Sequence, residues 1–115
     1  MARDHVSTII LEIGAISALL ERWPNPRVSR LGAQMLIYIA SQTVTGETIF
    51  VKSLFASFPS SPSSLRRTFN WLVKRNWISL KPSSEDQRFK YVELGSKGQQ
   101  AIRELVMTYK GLRKS

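Results

Sequence analysis

The chain has 115 residues, 43% of them hydrophobic, and this size and composition predict a single folded domain over residues 1–115. Seventeen Lys and Arg against eight Asp and Glu give a formal charge of +9, which favours a polyanionic partner, nucleic acid or an acidic membrane surface, over a small acidic substrate. Because the sequence lacks cysteine, a long apolar run and a secretory signal pattern, we exclude disulfides, thiolate metal sites and membrane spans, and expect a cytoplasmic protein.

Two helices are predicted in the first part of the chain. From Val6 to Trp23 apolar residues recur every three or four positions, which places them on one helical face, and Pro24 and Pro26 end that helix. A second helix, roughly Arg27 to Thr43, is apolar around much of its circumference. We therefore expect it to be the buried central helix.

The middle of the chain predicts a short strand over Thr48 to Val51 and a short helix over residues 52–58. A longer helix should begin near Pro62, because proline lacks an N–H group that the first helical turn does not need, and Ser61 is placed to cap it. Asn76 lies where this helix should end, since asparagine tolerates the left-handed conformation of a C-terminal cap.

The helix that begins near Pro62 has two contrasting faces. Leu65, Phe69 and Leu72 lie on one side and are expected to pack on the core. The other side carries hydrogen-bond donors: Ser63, Arg66, Arg67, Asn70 and Lys74. Arginine and asparagine can bind guanine and adenine edges with two hydrogen bonds, whereas serine hydroxyls suit phosphate. Residues of about 52–76 thus resemble a DNA-reading helix-turn-helix, although an ordinary solvated helix face is the alternative.

Two β-prone runs follow, Trp77 to Lys81 and Phe89 to Leu94, and a polar loop separates them. They predict a β-hairpin, the wing, over about 77–94. Arg88 lies at the predicted tip, with Lys81 and Lys90 beside it, where cations can meet phosphates or the minor groove. Residues 61–97 hold eight Lys and Arg against three Asp and Glu, so more than half of the excess charge lies in about a third of the chain.

The stretch SSLRRTFNWLVKRNWISLKPSSEDQRFKYVELGSKG resembles the recognition helix, wing and following helix start of the MarR-type winged-helix transcription regulators. The resemblance implies that Arg88 meets DNA and that Asp86 shapes the wing. Asn76 replaces the usual glycine, and Gly95 stands where threonine usually caps the next helix, so Gly95 or Ser96 should take that role. The residues that fall on recognition-helix positions are Ser63, Ser64, Arg66, Arg67 and Asn70.

The expected fold class is therefore mainly α with a small β-hairpin (α+β), a winged helix-turn-helix with flanking N- and C-terminal helices. Residues 96–112 carry an apolar stripe comparable to that of the N-terminal helix, residues 5–23. In MarR-like proteins the terminal helices of two chains interlock, which implies a homodimer and a pseudo-palindromic DNA site. The alternative is that both stripes complete a monomeric core.

We predict a sequence-specific regulator that binds double-stranded DNA. Base contacts are expected from Arg66, Arg67 and Asn70. Phosphate or mixed contacts are expected from Ser63, Ser64 and Lys74, and wing contacts from Lys81, Arg88 and Lys90. The alternative function is a winged-helix module that binds protein or an anionic surface without reading base sequence.

An enzyme is disfavoured by the sequence. The single histidine, His5, is expected at the surface or in a first helical turn, and we find no glycine-rich phosphate loop, metal-binding motif or catalytic set. We therefore predict no catalytic residue, no metal site and no cofactor. A small-molecule effector is allowed by the resemblance but is not indicated by any residue. Trp77 is expected to anchor the wing, whereas Trp71 lies between the two faces of its helix.

Overall fold

The computed structural model describes Ile10, Gly14, residues 28–83 and residues 89–114. The predicted N-terminal helix, residues 5–23, falls outside the described residues apart from Ile10 and Gly14, which are both helical. The elements in chain order are α1 (Arg30–Val44), β1 (Ile49–Phe50), α2 (Val51–Ala56), α3 (Pro62–Lys74), β2 (Ile78–Pro82), β3 (Lys90–Leu94) and α4 (Ser96–Lys114). The strands form one antiparallel sheet in the order β1-β3-β2, which confirms the α+β class.

Helix α1 is the central helix of the core, as predicted. It begins at Arg30 and not at the expected Arg27, because Ser29 is extended and its hydroxyl accepts the Gly32 N–H at 3.1 Å. Its fully buried apolar side chains are Met35, Leu36 and Ile39. Apolar residues from α2, α3 and the sheet surround them, namely Ile49, Leu54, Leu65, Phe69, Leu72, Ile78 and Val92.

Helix α3 begins and ends where its local chemistry predicts. Pro62 is its first residue, and the Ser61 hydroxyl accepts the Ser64 N–H at 3.3 Å. Asn76 adopts the left-handed conformation with φ 65°. The N–H of Asn76 donates to the Val73 carbonyl and the N–H of Trp77 to the Leu72 carbonyl, the Schellman pattern of a helix end.

The other bounds differ from the predictions by a few residues. Helix α2 begins at Val51 because the extended Phe50 precedes it, so β1 ends one residue earlier than predicted. Strand β2 begins at Ile78 and not at Trp77, because the Trp77 N–H is used in the hydrogen bonds that close the end of α3. Strand β3 begins at Lys90, and α4 extends to Lys114, two residues beyond the predicted end.

The start of α4 lies directly against the turn that ends α3. The Gly95 N–H donates to the Trp77 carbonyl at 2.9 Å, and the Lys97 N–H donates to the Asn76 carbonyl at 3.1 Å. A Cβ atom on Gly95 would lie well inside 3.0 Å of the Asn76 carbonyl oxygen, and one on Gly98 would meet the Trp77 oxygen in the same way. We call this contact of Gly95 and Gly98 with residues 76–77 the glycine junction. Helix α4 begins at Ser96, so Gly95 is the residue that precedes the helix, and close backbone approach explains its identity.

Substitution of Gly95 by alanine should destabilise the protein by about 1–3 kcal/mol, because the added methyl group overpacks the glycine junction. The matched control is Gly111→Ala, also in α4, where an added Cβ meets nothing within 4 Å. The control should leave stability unchanged or raise it by up to about 1 kcal/mol. Urea denaturation followed by circular dichroism measures both, and equal stabilities would contradict the role given to the junction.

Candidate nucleic-acid interface

Helix α3 divides into a buried face and an exposed donor face. Leu65, Phe69 and Leu72 are buried, as expected. The predicted contact residues are all exposed: Ser63, Ser64, Arg66, Arg67, Asn70 and Lys74. We call these six residues the donor face. Its contact with DNA stays a prediction, but the structure brings all six onto one accessible surface.

The cations of the donor face are available to a polyanion. Within residues 28–83 and 89–114, Arg66, Arg67 and Lys74 form no ion pair with an acidic side chain. Their positive charge is therefore not neutralised by described neighbours. An exposed set of this kind attracts phosphate by a long-range field and can reorganise to contact base edges.

Serine hydroxyls gather at the first turn of α3. The Ser61 hydroxyl donates to the Ser64 hydroxyl at 3.0 Å, and the hydroxyls of Ser61 and Ser63 lie 3.4 Å apart. The positive end of the helix dipole lies at the same place. These hydroxyls, placed at the positive end of the helix, are suited to a phosphate group.

An arginine that the sequence reasoning missed lies at the far end of α3. The Arg75 guanidinium carbon lies 4.5 Å from the centre of the Trp71 ring, a cation–π contact that restricts the arginine side chain. This gives the half-buried Trp71, which the sequence placed between two faces, a structural role. The sequence does hold a signal for this contact, because Trp71 and Arg75 are four positions apart and residues at that spacing are neighbours on a helix.

The accessible surface continues from α3 onto the start of α1. A cleft of about 180 Å³ lies between the two helices and is lined by Ser29, Gly32, Arg67, Thr68, Trp71 and Leu72. Arg67 thus faces the capped N-terminus of α1, where Arg30 is also exposed. These α1 residues were not predicted to belong to the interface, although a serine before an apolar helix marks a helix start.

The wing is formed by β2 and β3, paired from Ile78 with Leu94 to Pro82 with Lys90. Arg88 and Asp86, the predicted tip pair, lie outside the described residues. Lys90 is exposed. Lys81 is also exposed, but its Nζ lies 3.1 Å from Glu93 Oε2 on the facing strand. This hydrogen bond and the charge of Glu93 raise the pKa of Lys81 above its ordinary value.

Other predicted features have simpler positions. Trp77 is 6% exposed and packs in the core, which confirms it as an anchor between α3 and the wing.

His5 lies outside the described residues. Among the residues that the structure does describe, no group of three or more His, Asp or Glu could hold a metal ion. Within the same ranges no helix has the length and hydropathy to cross a membrane.

No protein-family model and no curated protein matches this sequence. The structure, by contrast, is similar to several solved structures. A mutant MarR from E. coli complexed with operator DNA has 19% identity and a TM-score of 0.60, with 86% of this chain and 69% of that chain covered. A mutant MepR from S. aureus has 12% identity and a TM-score of 0.68, with 99% and 79% covered.

A third similar structure is the heme sensor protein PefR from Streptococcus agalactiae in complex with heme. It has 15% identity and a TM-score of 0.63, with 96% of this chain and 74% of that chain covered. At these identities the comparisons show the fold. The chain has the winged-helix fold of MarR-type transcription regulators, as the sequence resemblance implied.

Proposed function

We propose that this protein is a transcriptional regulator that binds double-stranded DNA, with α3 in the major groove and the wing beside it. The observation that carries the proposal is the donor face, where Arg66, Arg67 and Asn70 stand exposed on a helix whose opposite side is buried in the core. The fold supports it, because the similar MarR structure from E. coli is complexed with operator DNA. The formal charge of +9 supplies the attraction to phosphate that such binding needs.

The residue types suggest that some side chains of the interface contact bases and others contact phosphates. Arg66, Arg67 and Asn70 are proposed to contact bases, because guanidinium and amide groups can form the paired hydrogen bonds that distinguish one base from another. Ser63, Ser64 and Lys74 are proposed to contact phosphates, which positions the helix without reading sequence. In the wing, Lys81, Arg88 and Lys90 are proposed to contact the DNA backbone or minor groove, and Asp86 to shape the tip.

The C-terminal half of α4 is proposed to join two copies of the chain. Met107 is 67% exposed and Val106 is 45% exposed, an arrangement that leaves apolar area in contact with water. Burial of this area against a second copy would be favourable. A twofold homodimer would set the two α3 helices about 34–36 Å apart, one turn of B-DNA, and would read a pseudo-palindromic site. We propose that it acts in the cytoplasm.

Alanine substitution should separate base contacts from phosphate contacts. Arg67→Ala and Asn70→Ala should each cost about 1–3 kcal/mol of binding to a preferred duplex and relax the choice of base at one position. Lys74→Ala should weaken binding to all duplexes alike and lower the salt dependence. Fluorescence anisotropy with the preferred duplex and a scrambled duplex, at several salt concentrations, measures these effects.

The control for charge alone is Arg103→Ala, which removes one exposed cation from α4 and leaves the donor face intact. It should change the affinity for both duplexes only slightly. If Arg67→Ala, Asn70→Ala and Lys74→Ala reduced binding to both duplexes by the same factor, base reading by α3 would be excluded.

Introducing a charge at Met107 should disrupt the proposed dimer. Met107→Glu places a carboxylate in apolar area that must be desolvated when two copies associate, so the variant should sediment as a monomer while the wild type sediments as a dimer. Gln100→Glu, on an exposed position near the start of α4, is the matched control and should leave the dimer intact. A wild type that sediments as a monomer, or a Met107→Glu dimer of unchanged stability, would contradict the assignment.

A further inference from the structure

The sheet has an outer face whose aromatic residues play no part in the proposed duplex binding. Side chains alternate between the two faces of a strand, and the buried Ile49 and Val92 define the inner face. On the outer face, Phe50 and Lys81 both lie opposite Tyr91, so the three form one row across the sheet. Phe89 lies two residues before Tyr91 and therefore on the same face. Its backbone carbonyl accepts the Ser83 N–H at 2.8 Å, which joins it to the residue that follows β2. We call Phe50, Phe89 and Tyr91 the aromatic face.

The aromatic face is open to solvent. Phe89 is 57% exposed and Phe50 is 37% exposed, while Tyr91 is half-buried. The rings of Phe50 and Phe89 contact each other edge to face, with centroids 6.5 Å apart, and neither belongs to the buried core. The solvated side of an antiparallel sheet normally carries polar residues. Contiguous exposed aromatic rings therefore indicate a surface with a binding partner.

The chemistry of the surroundings favours a negatively charged partner with flat apolar groups. Lys81 lies in the same row as Phe50 and Tyr91, and its side chain is 48% exposed. The whole chain also carries a formal charge of +9, which attracts a negatively charged partner. Nucleobases offer π-faces that stack on aromatic side chains whatever their sequence, and each base carries a phosphate that a lysine can contact. Exposed aromatic residues on a small sheet bind single-stranded nucleic acid in other folds by this physics.

We propose that the aromatic face binds single-stranded nucleic acid, with bases stacked on Phe89 and Phe50 and a phosphate held by Lys81. This site uses the outer side of the sheet and shares no residue with the donor face of α3. Lys81 is the one residue that it has in common with the wing contacts proposed for duplex DNA. Glu93, which is paired with Lys81 at 3.1 Å, competes with phosphate for the lysine. An exposed ion pair of this kind is weak enough for a phosphate to displace.

The test uses the full chain and a fluorescein-labelled oligothymidine of about ten nucleotides, within the site sizes of proteins that bind single strands. Anisotropy at low salt should show binding by the wild type. Phe89→Leu and Phe50→Leu keep an apolar side chain but lose the ring, and each should weaken binding roughly fivefold or more. Phe89→Tyr keeps the ring and should bind as the wild type does. Glu93→Gln should strengthen binding, because it frees Lys81.

The outcomes distinguish this site from the duplex site. Phe89→Leu and Phe50→Leu should retain the wild-type affinity for the preferred duplex, and Arg67→Ala should retain single-strand binding. Uridine oligomers with the same sensitivity to Phe89→Leu would support the proposal and extend it to RNA. Absence of oligothymidine binding, or equal affinity for the wild type and Phe89→Leu, would overturn it. A change in sedimentation of the leucine variants without any change in oligonucleotide affinity would show that the face joins two copies, and would overturn it too.

Discussion

The backbone contact between the end of α3 and the start of α4 determines how the potential binding surfaces of this protein are arranged. Gly95 and Lys97 donate N–H groups to the carbonyls of Trp77 and Asn76, and no side chain at Gly95 or Gly98 separates the two segments. Because Trp77 also completes the hydrogen bonding of α3, one short region ends α3, begins the wing and seats α4. The orientation of the donor face relative to α4 follows from this contact. In the proposed dimer, the same contact sets the spacing of the two α3 helices.

The second constraint is the contrast between the two sides of α3. Leu65, Phe69 and Leu72 hold the helix on the core, so its outer residues contribute little to packing and are free to serve binding. The cation–π contact of Trp71 with Arg75 adds a restrained cation beyond the predicted set. The protein thus combines a rigid helix position with exposed, rearrangeable donors, which suits recognition of a charged polymer better than catalysis in a closed pocket.

Local chemistry explains why much of the fold could be predicted. The start and end of α3 could be predicted from the sequence, because the residues responsible act within a few positions of themselves: Ser61, Pro62 and Asn76. The glycine junction was missed because it joins residues almost twenty positions apart, and Gly95 alone suggests only a cap. The aromatic face was missed for a related reason. Phe50 and Phe89 come together only through the pairing of β1 with β3, a register that no short pattern specifies.

The most direct test of the central claim is selection of duplexes from a random pool by the full chain. We predict enrichment of one inverted repeat whose half-sites are centred about 10–10.5 base pairs apart, and loss of that enrichment when Arg66, Arg67 and Asn70 are all replaced by alanine. A pool without any enriched sequence, or the same sequence recovered by the triple variant, would contradict the assignment of α3 as a reader of duplex DNA.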